Sequence, residues 1–277
     1  MSMNDAIDSL INSISEKAPV AENTYMGEDG LQRCSVCNSK VETIIKHPFT
    51  NEERKVRCRC ACKTEMDEFK ERQQQEDLER RKRICFAESN MFNWTFANDD
   101  GKNAKISNAM KNYVKNFTEF KQQGKGLLLY GSVGTGKTFL AACIANALIE
   151  EGYSVLMTNF ARLTNSIQGT FEGKNEIIDS LQRYTLLIID DLGAERKSEY
   201  MQETVFSIID ARYRSGLPMI ITTNLTAEEL RQPQEVGYAR IYDRILERCF
   251  PVIVNGESRR NKAGKESYLD IKEKLGL

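Results

Sequence analysis

Leu127-Leu128-Leu129-Tyr130 runs into Gly131-Ser132-Val133-Gly134-Thr135-Gly136-Lys137-Thr138, and that into Phe139-Leu140-Ala141-Ala142-Cys143-Ile144-Ala145. An apolar run, a glycine-rich octet and an alanine-rich stretch predict a strand, a tight loop and a helix start. The spacing is G-x-x-x-x-G-K-T. Such a joint cradles anions: glycines let the loop turn its N–H groups inward, and the helix N-terminus adds partial positive charge. Lys137 reaches the outer phosphates of a nucleotide, and Thr138 offers a hydroxyl to Mg²⁺. Gly131 to Thr138, with Phe139 directly behind them, are the candidate nucleotide-binding residues. Without its flanks the octet would read as an ordinary turn.

A second apolar run, Leu186-Leu187-Ile188-Ile189, ends in Asp190-Asp191. Asp190 is placed to hold the Mg²⁺ that Thr138 also binds, and Asp191 to orient or activate an attacking water. A buried carboxylate without a cation is costly, so a metal accounts for the pair well. A third run, residues 219–221, ends in Thr222-Thr223-Asn224. Asn224 is the candidate for a hydrogen bond to the γ-phosphate or the water; alternatively it starts a turn. Residues 239–249 read Ala-Arg-Ile-Tyr-Asp-Arg-Ile-Leu-Glu-Arg-Cys, which sets Arg240 and Arg244 one helical turn apart. Ser258-Arg259-Arg260 follows a predicted strand at 252–254. Arginines stabilise a transferring phosphoryl group and can come from a neighbouring subunit. Spacing alone does not separate that role from surface salt bridges.

Between residue 90 and the C-terminus, apolar runs at 127–130, 155–157, 186–189 and 219–221 alternate with helical stretches at 138–150, 161–167 and 199–213. Gly152 and Gly216 stand where helices should end, and Thr226 with Glu229 forms a capping box. This alternation predicts an α/β fold, a parallel sheet flanked by helices, with ligands bound beyond the strands' carboxyl ends. Residues 63–84 hold helix formers with few apolar positions, which predicts an exposed linker helix. Its Arg80-Arg81-Lys82-Arg83 suits a helix C-terminus or a DNA contact. Residues 1–30 are polar, with Ile7, Leu10, Ile11 and Ile14 at helical spacing.

The 277 residues are 40% hydrophobic and 29% charged, enough for a core, and the net charge of −1 announces no nucleic-acid-binding chain as a whole. No apolar run reaches membrane length and no secretory signal is visible, so a cytoplasmic location is expected. Five of the eight cysteines fall between Cys34 and Cys62. Cys34 and Cys37 form one close pair, and Cys58, Cys60 and Cys62 offer the second. Two close pairs about twenty residues apart are the layout of a four-thiolate zinc site. The favoured ligands are Cys34, Cys37, Cys60 and Cys62, with Cys58 the spare and His47 a weaker candidate. A disulfide, a redox pair and an iron–sulfur cluster are the competing readings. The expected organisation is a zinc-binding partner module over 1–62, a charged helical linker over 63–88 and an ATPase domain over 89–277.

The order of glycine loop, Leu-Leu-Ile-Ile-Asp-Asp-Leu-Gly, Thr-Thr-Asn-Leu and Arg-Ile-Tyr-Asp-Arg-Ile-Leu-Glu resembles DnaC-type helicase loaders and their relatives, the IstB transposition helpers. Both belong to the initiator branch of the AAA+ ATPases, and residues 90–265 carry the match. The cysteine module followed by a charged helix resembles the accessory domain of DnaC-like proteins from phages and mobile elements; its fifth cysteine departs from that pattern.

The resemblance implies an AAA+ P-loop NTPase that binds ATP, Mg²⁺ and Zn²⁺. Gly131 to Thr138 would be its Walker A loop, Asp190 its Walker B metal ligand and Asp191 its water-activating acid. Asn224 would be sensor 1, and Arg244 an arginine finger acting on the next subunit's ATP. Arg260 would be sensor 2, with Arg259 the alternative. Many relatives carry Glu where this chain has Asp191, so slow or partner-stimulated hydrolysis is expected. The implied partners are a replicative DNA helicase, single-stranded DNA and further copies of the chain. Residues 160–182 lie where the branch inserts a DNA-touching helix, with Arg162, Lys174, Arg183, Phe160 and Phe171 to hand. The expected function is ATP-dependent helicase loading; the alternatives are an ATPase helper of transposition and a nucleotide-gated binding module.

Overall fold

The computed structural model describes residues 9, 23–87, 90–169, 173–194, 198–256, 258–259, 271–272 and 274–275. The helix expected around Ile7 to Ile14, Phe171 and Arg260 lie outside them. The chain divides into two compact units, Met1–Asp77 and Leu78–Leu277.

In the first unit, β1 (Thr24–Met26) pairs antiparallel with β2 (Gln32–Cys34), and β3 (Glu42–Lys46) with β4 (Glu53–Arg57). Among the described residues the buried apolar cluster here is Cys34, Val41 and Cys60, with Leu31 and Val56 also buried in the hairpins. So small a core cannot hold two hairpins unaided, which is the usual setting for a structural metal. Helix α1 (Ala61–Phe86) begins at the second cysteine pair and crosses the division between the units. Its last turns belong to the second unit, where Cys85 and Phe86 are buried. Arg81 donates to the carbonyl of Gly152 (3.1 Å) and Lys82 pairs with Glu150 (2.8 Å). Those two members of the basic run thus serve packing inside the second unit.

The second unit is built on a five-stranded sheet in the order β6-β7-β8-β5-β9. The strands are β5 (Gly126–Tyr130), β6 (Val155–Asn159), β7 (Leu186–Leu192), β8 (Met219–Thr223) and β9 (Cys249–Ile253), and every pairing is parallel. The runs are continuous because both faces are covered, and alternate residues feed opposite cores. Leu127, Leu129, Leu186 and Ile188 face one cluster with Leu140 and Ile144; Leu128, Leu187 and Ile189 face another with Val205 and Ile241. Helices α2 (Ala104–Lys115), α3 (Phe117–Gln123) and α4 (Lys137–Glu150) serve the first layer. On the second lie α5 (Phe160–Gly169), α6 (Lys174–Leu181), α7 (Glu199–Ser215), α8 (Ala227–Arg231) and α9 (Val236–Arg248). Cys143 is fully buried on α4.

Strand β8 separates the two motif-bearing strands. The glycine loop leaves β5 and the aspartates end β7, so the tip of β8 stands between them. Arg212 on α7 holds this part of the sheet in place. Fully buried, it donates to the carbonyls of Pro218 (2.7 Å), Thr185 (2.9 Å) and Tyr184 (3.0 Å), fixing the entries to β7 and β8. Burial lowers its pKa to about 10.

Candidate nucleotide site and cysteine cluster

The glycine loop ends where α4 begins, with Gly136 as N-cap at φ 100°. Gly134 has φ 85°, and a Cβ there would collide with the side chain of Ser258. Both positions need glycine, for the left-handed backbone and for close approach. Lys137 is buried, and its Nζ donates to the carbonyls of Gly131 (2.8 Å) and Ser132 (2.7 Å). The ammonium is thereby held under the loop, where phosphate oxygens would find it.

Thr138 Oγ1 donates to Asp190 Oδ1 at 2.9 Å, so the loop and the second motif meet as the sequence requires. Thr222 Oγ1 donates to the same oxygen at 2.6 Å and accepts from the backbone N–H of Asp191 at 2.9 Å. Thr222 is fully buried at the tip of β8. Nothing in the sequence singles it out from Asn224, because its importance arises only from the order of the strands. Burial raises the pKa of Asp190, with the charge of Asp191 adding to the rise; the Thr222 and Thr138 hydroxyls and the Lys137 charge oppose it. A cation would offset that burial, so the donor set of Asp190 and Thr138 fits a hard divalent ion.

Asp191 stands beside a break in the β7–β8 register, with φ 57°. That conformation costs a non-glycine residue about 1–3 kcal/mol and is typical of functional turns. The exposed side chain receives Asn224 Nδ2 at 3.5 Å. A cavity of ≈ 260 Å³ is bounded by Gly134, Lys137, Thr138, Asp191, Asn224 and Arg259, with Trp94 and Phe139 as an aromatic wall. The two ring centroids lie 5.9 Å apart. Trp94, the single tryptophan of the chain, is held by Asn146 of α4, whose Nδ2 donates to the Trp94 carbonyl at 2.9 Å. Nothing periodic surrounds Trp94 in the sequence, so no pattern marked it.

The arginines are distributed as follows. Arg259 lines the cavity, stacks on Phe139 (5.9 Å) and pairs with Asp100 (3.0 Å). Its neighbour Arg260, the preferred candidate, lies outside the described residues. Arg244 is not at this cavity: its Nε donates to Asp210 (2.9 Å) on α7 and its Nη1 to the Arg240 carbonyl (3.1 Å). Of the DNA-contact candidates, Phe160 is 2% exposed and packs in the core, which removes it as a stacking surface. Lys174 pairs with Glu203 (3.2 Å), and Arg162 Nη2 donates to the Ala87 carbonyl (3.3 Å).

In the first unit the Sγ atoms of Cys34, Cys37, Cys60 and Cys62 all lie within 4.8 Å of one another. The Cys34–Cys62 pair stands at 3.8 Å and the Cys60–Cys62 pair at 3.2 Å. A tetrahedron with metal–sulfur bonds of about 2.3 Å has sulfur–sulfur edges of about 3.8 Å, so the cluster fits zinc. Ser39 Oγ contacts Cys37 Sγ at 3.0 Å and accepts from Ala61 N at 2.9 Å, tying the two cysteine-bearing turns together. That contact lowers the Cys37 thiol to about 6, while the thiols of Cys60 and Cys37 push Cys62 up to about 12; a metal would hold all four as thiolates. Cys58 turns away and donates to the Lys40 carbonyl (3.4 Å). His47 Nδ1 accepts from Thr50 N (3.2 Å) within its own turn.

Comparison with known proteins follows the same lines. The family model described as IstB-like ATP binding protein matches residues 59–267. The replicative helicase loader DnaI of Bacillus subtilis (strain 168) is 35% identical over 164 residues, 54% of this chain and 51% of that protein. The replicative helicase loader DnaC of Escherichia coli (strain K12) is 31% identical over 166 residues, 58% of this chain and 66% of that one. The chain thus spans about half to two thirds of these relatives. A crystal structure of DnaI superposes with a TM-score of 0.52 at 29% identity, covering 65% of this chain and all of that one. The second unit therefore has the AAA+ P-loop fold. Among the described residues no helix is long and apolar enough to cross a membrane.

Proposed function

Because the chain belongs to the IstB-like ATP-binding protein family, we propose that it is an ATPase that loads a replicative DNA helicase onto single-stranded DNA. The observation that carries this reading is the meeting of Lys137, Thr138, Thr222, Asp190 and Asp191 at one end of the sheet, in a chain whose curated relatives are named helicase loaders. Lys137 and the loop N–H groups hold the phosphates of ATP. Asp190 and Thr138 would hold Mg²⁺, which when bound would supply charge neutralisation at the outer phosphates. Asp191 and Asn224 face the same cavity and orient the water that attacks the γ-phosphate. Arg259 binds the chain's own nucleotide, and Arg244 acts on ATP held by a neighbouring copy. Asp191 is one methylene shorter than Glu, which suits slow turnover raised by a partner.

Cys34, Cys37, Cys60 and Cys62 hold zinc, which supplies folding free energy to a module whose own core is small. With four protein ligands that site has no open position for chemistry; its task is to present a surface to the helicase.

The resemblance to the IstB transposition helpers keeps a helper of transposition as the second reading, and the partner separates the two. Affinity capture with the purified chain from its native cell, with ATP present and with Lys137→Ala as control, is the test. A hexameric helicase retained in an ATP-dependent manner supports loading. A transposase in its place overturns it.

A further inference from the structure

The surroundings of Arg244 go beyond what an arginine finger by itself requires. Its guanidinium carbon lies 4.8 Å from the ring centroid of Phe206 and 5.6 Å from that of Tyr213, both on α7. Tyr213 is itself pinned, its hydroxyl donating to Glu247 (2.8 Å) and its ring covered by Arg248 at 4.8 Å. Asp210, 7% exposed, accepts from Arg244 Nε and also pairs with Arg214. With Nη1 on the Arg240 carbonyl, the guanidinium is fixed from three sides. Nη2 makes no hydrogen bond among the described residues.

A salt bridge serving only to join two helices would spend its donors on the carboxylate, side-on and bidentate. Here Nε goes to Asp210 and Nη1 to backbone, and Nη2 is left over. Arg240, a turn earlier on α9, is exposed, and its side chain has no hydrogen bond or ion pair among the described residues. An arginine of that kind loses rotamer freedom when it engages an anion; Arg244 has already lost it. Two rings and a buried carboxylate are a large investment in the orientation of one side chain. The reward is a cation whose unused edge points the same way before and after a partner arrives.

We propose that Asp210 is a positioning residue for Arg244, holding the guanidinium between Phe206 and Tyr213 so that Nη2 is free for the phosphates of ATP bound by a neighbouring copy of this chain. This rests on the reading of Arg244 as a finger acting between subunits. Asp210 touches no substrate, so its loss acts through Arg244. Turnover falls, while the affinity of each chain for its own ATP stays.

Mixing of full-length variants tests both layers separately. Lys137→Ala chains bind no ATP but keep the finger, and Arg244→Ala chains bind ATP but lack it. Each is inactive alone, and the mixture regains ATP turnover. Repeating the mixture with the double variant Lys137→Ala/Asp210→Asn lowers that regained turnover by about 10²-fold, the scale of a misplaced catalytic group. Asp210→Glu, which keeps the charge, restores part of it. Single Asp210→Asn binds ATP as the parent does, read by Trp94 fluorescence. Should that variant fold poorly, Phe206→Leu removes one ring at similar bulk and lowers turnover about tenfold at unchanged ATP affinity. If the Asp210→Asn double variant supports turnover as well as Lys137→Ala alone, the proposal is overturned. It is overturned as well if turnover and ATP affinity fall in parallel with stability, the mark of a merely structural role. If the first mixture stays silent, the finger reading itself fails, and the positioning role with it.

Discussion

Replacing Thr222 by valine is the most informative single perturbation of the site. The substitution keeps the branched shape, so no cavity opens. It removes one hydroxyl that donates to Asp190 Oδ1 at 2.6 Å and accepts from Asp191 N at 2.9 Å. A lost hydrogen bond to a charged group costs about 1.5–3 kcal/mol, and an orphaned neutral donor about 1 kcal/mol or more. Asp190 retains Thr138, which limits the first of these costs. The expected destabilisation of the nucleotide-free chain is about 2–3 kcal/mol, which lowers Tm by roughly 5–10 °C in a domain of this size. Urea unfolding followed by Trp94 fluorescence reports on the second unit directly, since that residue is the only tryptophan. In an Asp190→Asn background the same substitution costs about 1 kcal/mol less, because the charge it served is gone. A change below about 0.5 kcal/mol, or strict additivity of the two substitutions, would show that Thr222 does not hold the carboxylates.

Other consequences are equally open to measurement. Lys137→Ala removes the cation under the loop, and ATP, which changes Trp94 fluorescence in the parent, leaves the variant's spectrum unaltered; an unchanged titration refutes the site. Asp190→Asn stabilises the nucleotide-free chain at pH 7 while abolishing hydrolysis. The sign follows from burial: the folded-state pKa of Asp190 is raised above the ordinary 3.8, so ionisation penalises the folded state at neutral pH, and the gain fades as pH falls through the raised pKa. A variant less stable than its parent at pH 7 contradicts this. Metal analysis finds about one zinc per chain, lost in Cys34→Ser/Cys37→Ser and kept in Cys58→Ser; zinc that survives the double substitution excludes the four-thiolate site.

Much of the second unit was legible because its signals are local. The runs at 127–130 and 186–189 became strands β5 and β7, and the capping box at Thr226 and Glu229 opens α8 with both halves formed. The last strand was placed too late: β9 spans Cys249–Ile253, since Cys249 and Phe250 already pair with Gly126 and Leu127 of β5. Residues that matter through distant partners left no pattern. Thr222 depends on β8 lying between β5 and β7, Trp94 on Asn146 of α4 holding its carbonyl, and Asp210 on α7 meeting α9. Phe160 read as available for base stacking because sequence reports an aromatic residue and not the face of α5 on which it packs.

Helicase loading onto circular single-stranded DNA, counted with purified chain, a hexameric replicative helicase from the same cell and ATP, bears most directly on what this molecule does. Helicase rings should accumulate on the circles with the parent chain and ATP, and remain at background with Lys137→Ala. Rings that load equally well without nucleotide, or with that lysine gone, would show that the ATP site does not drive the reaction.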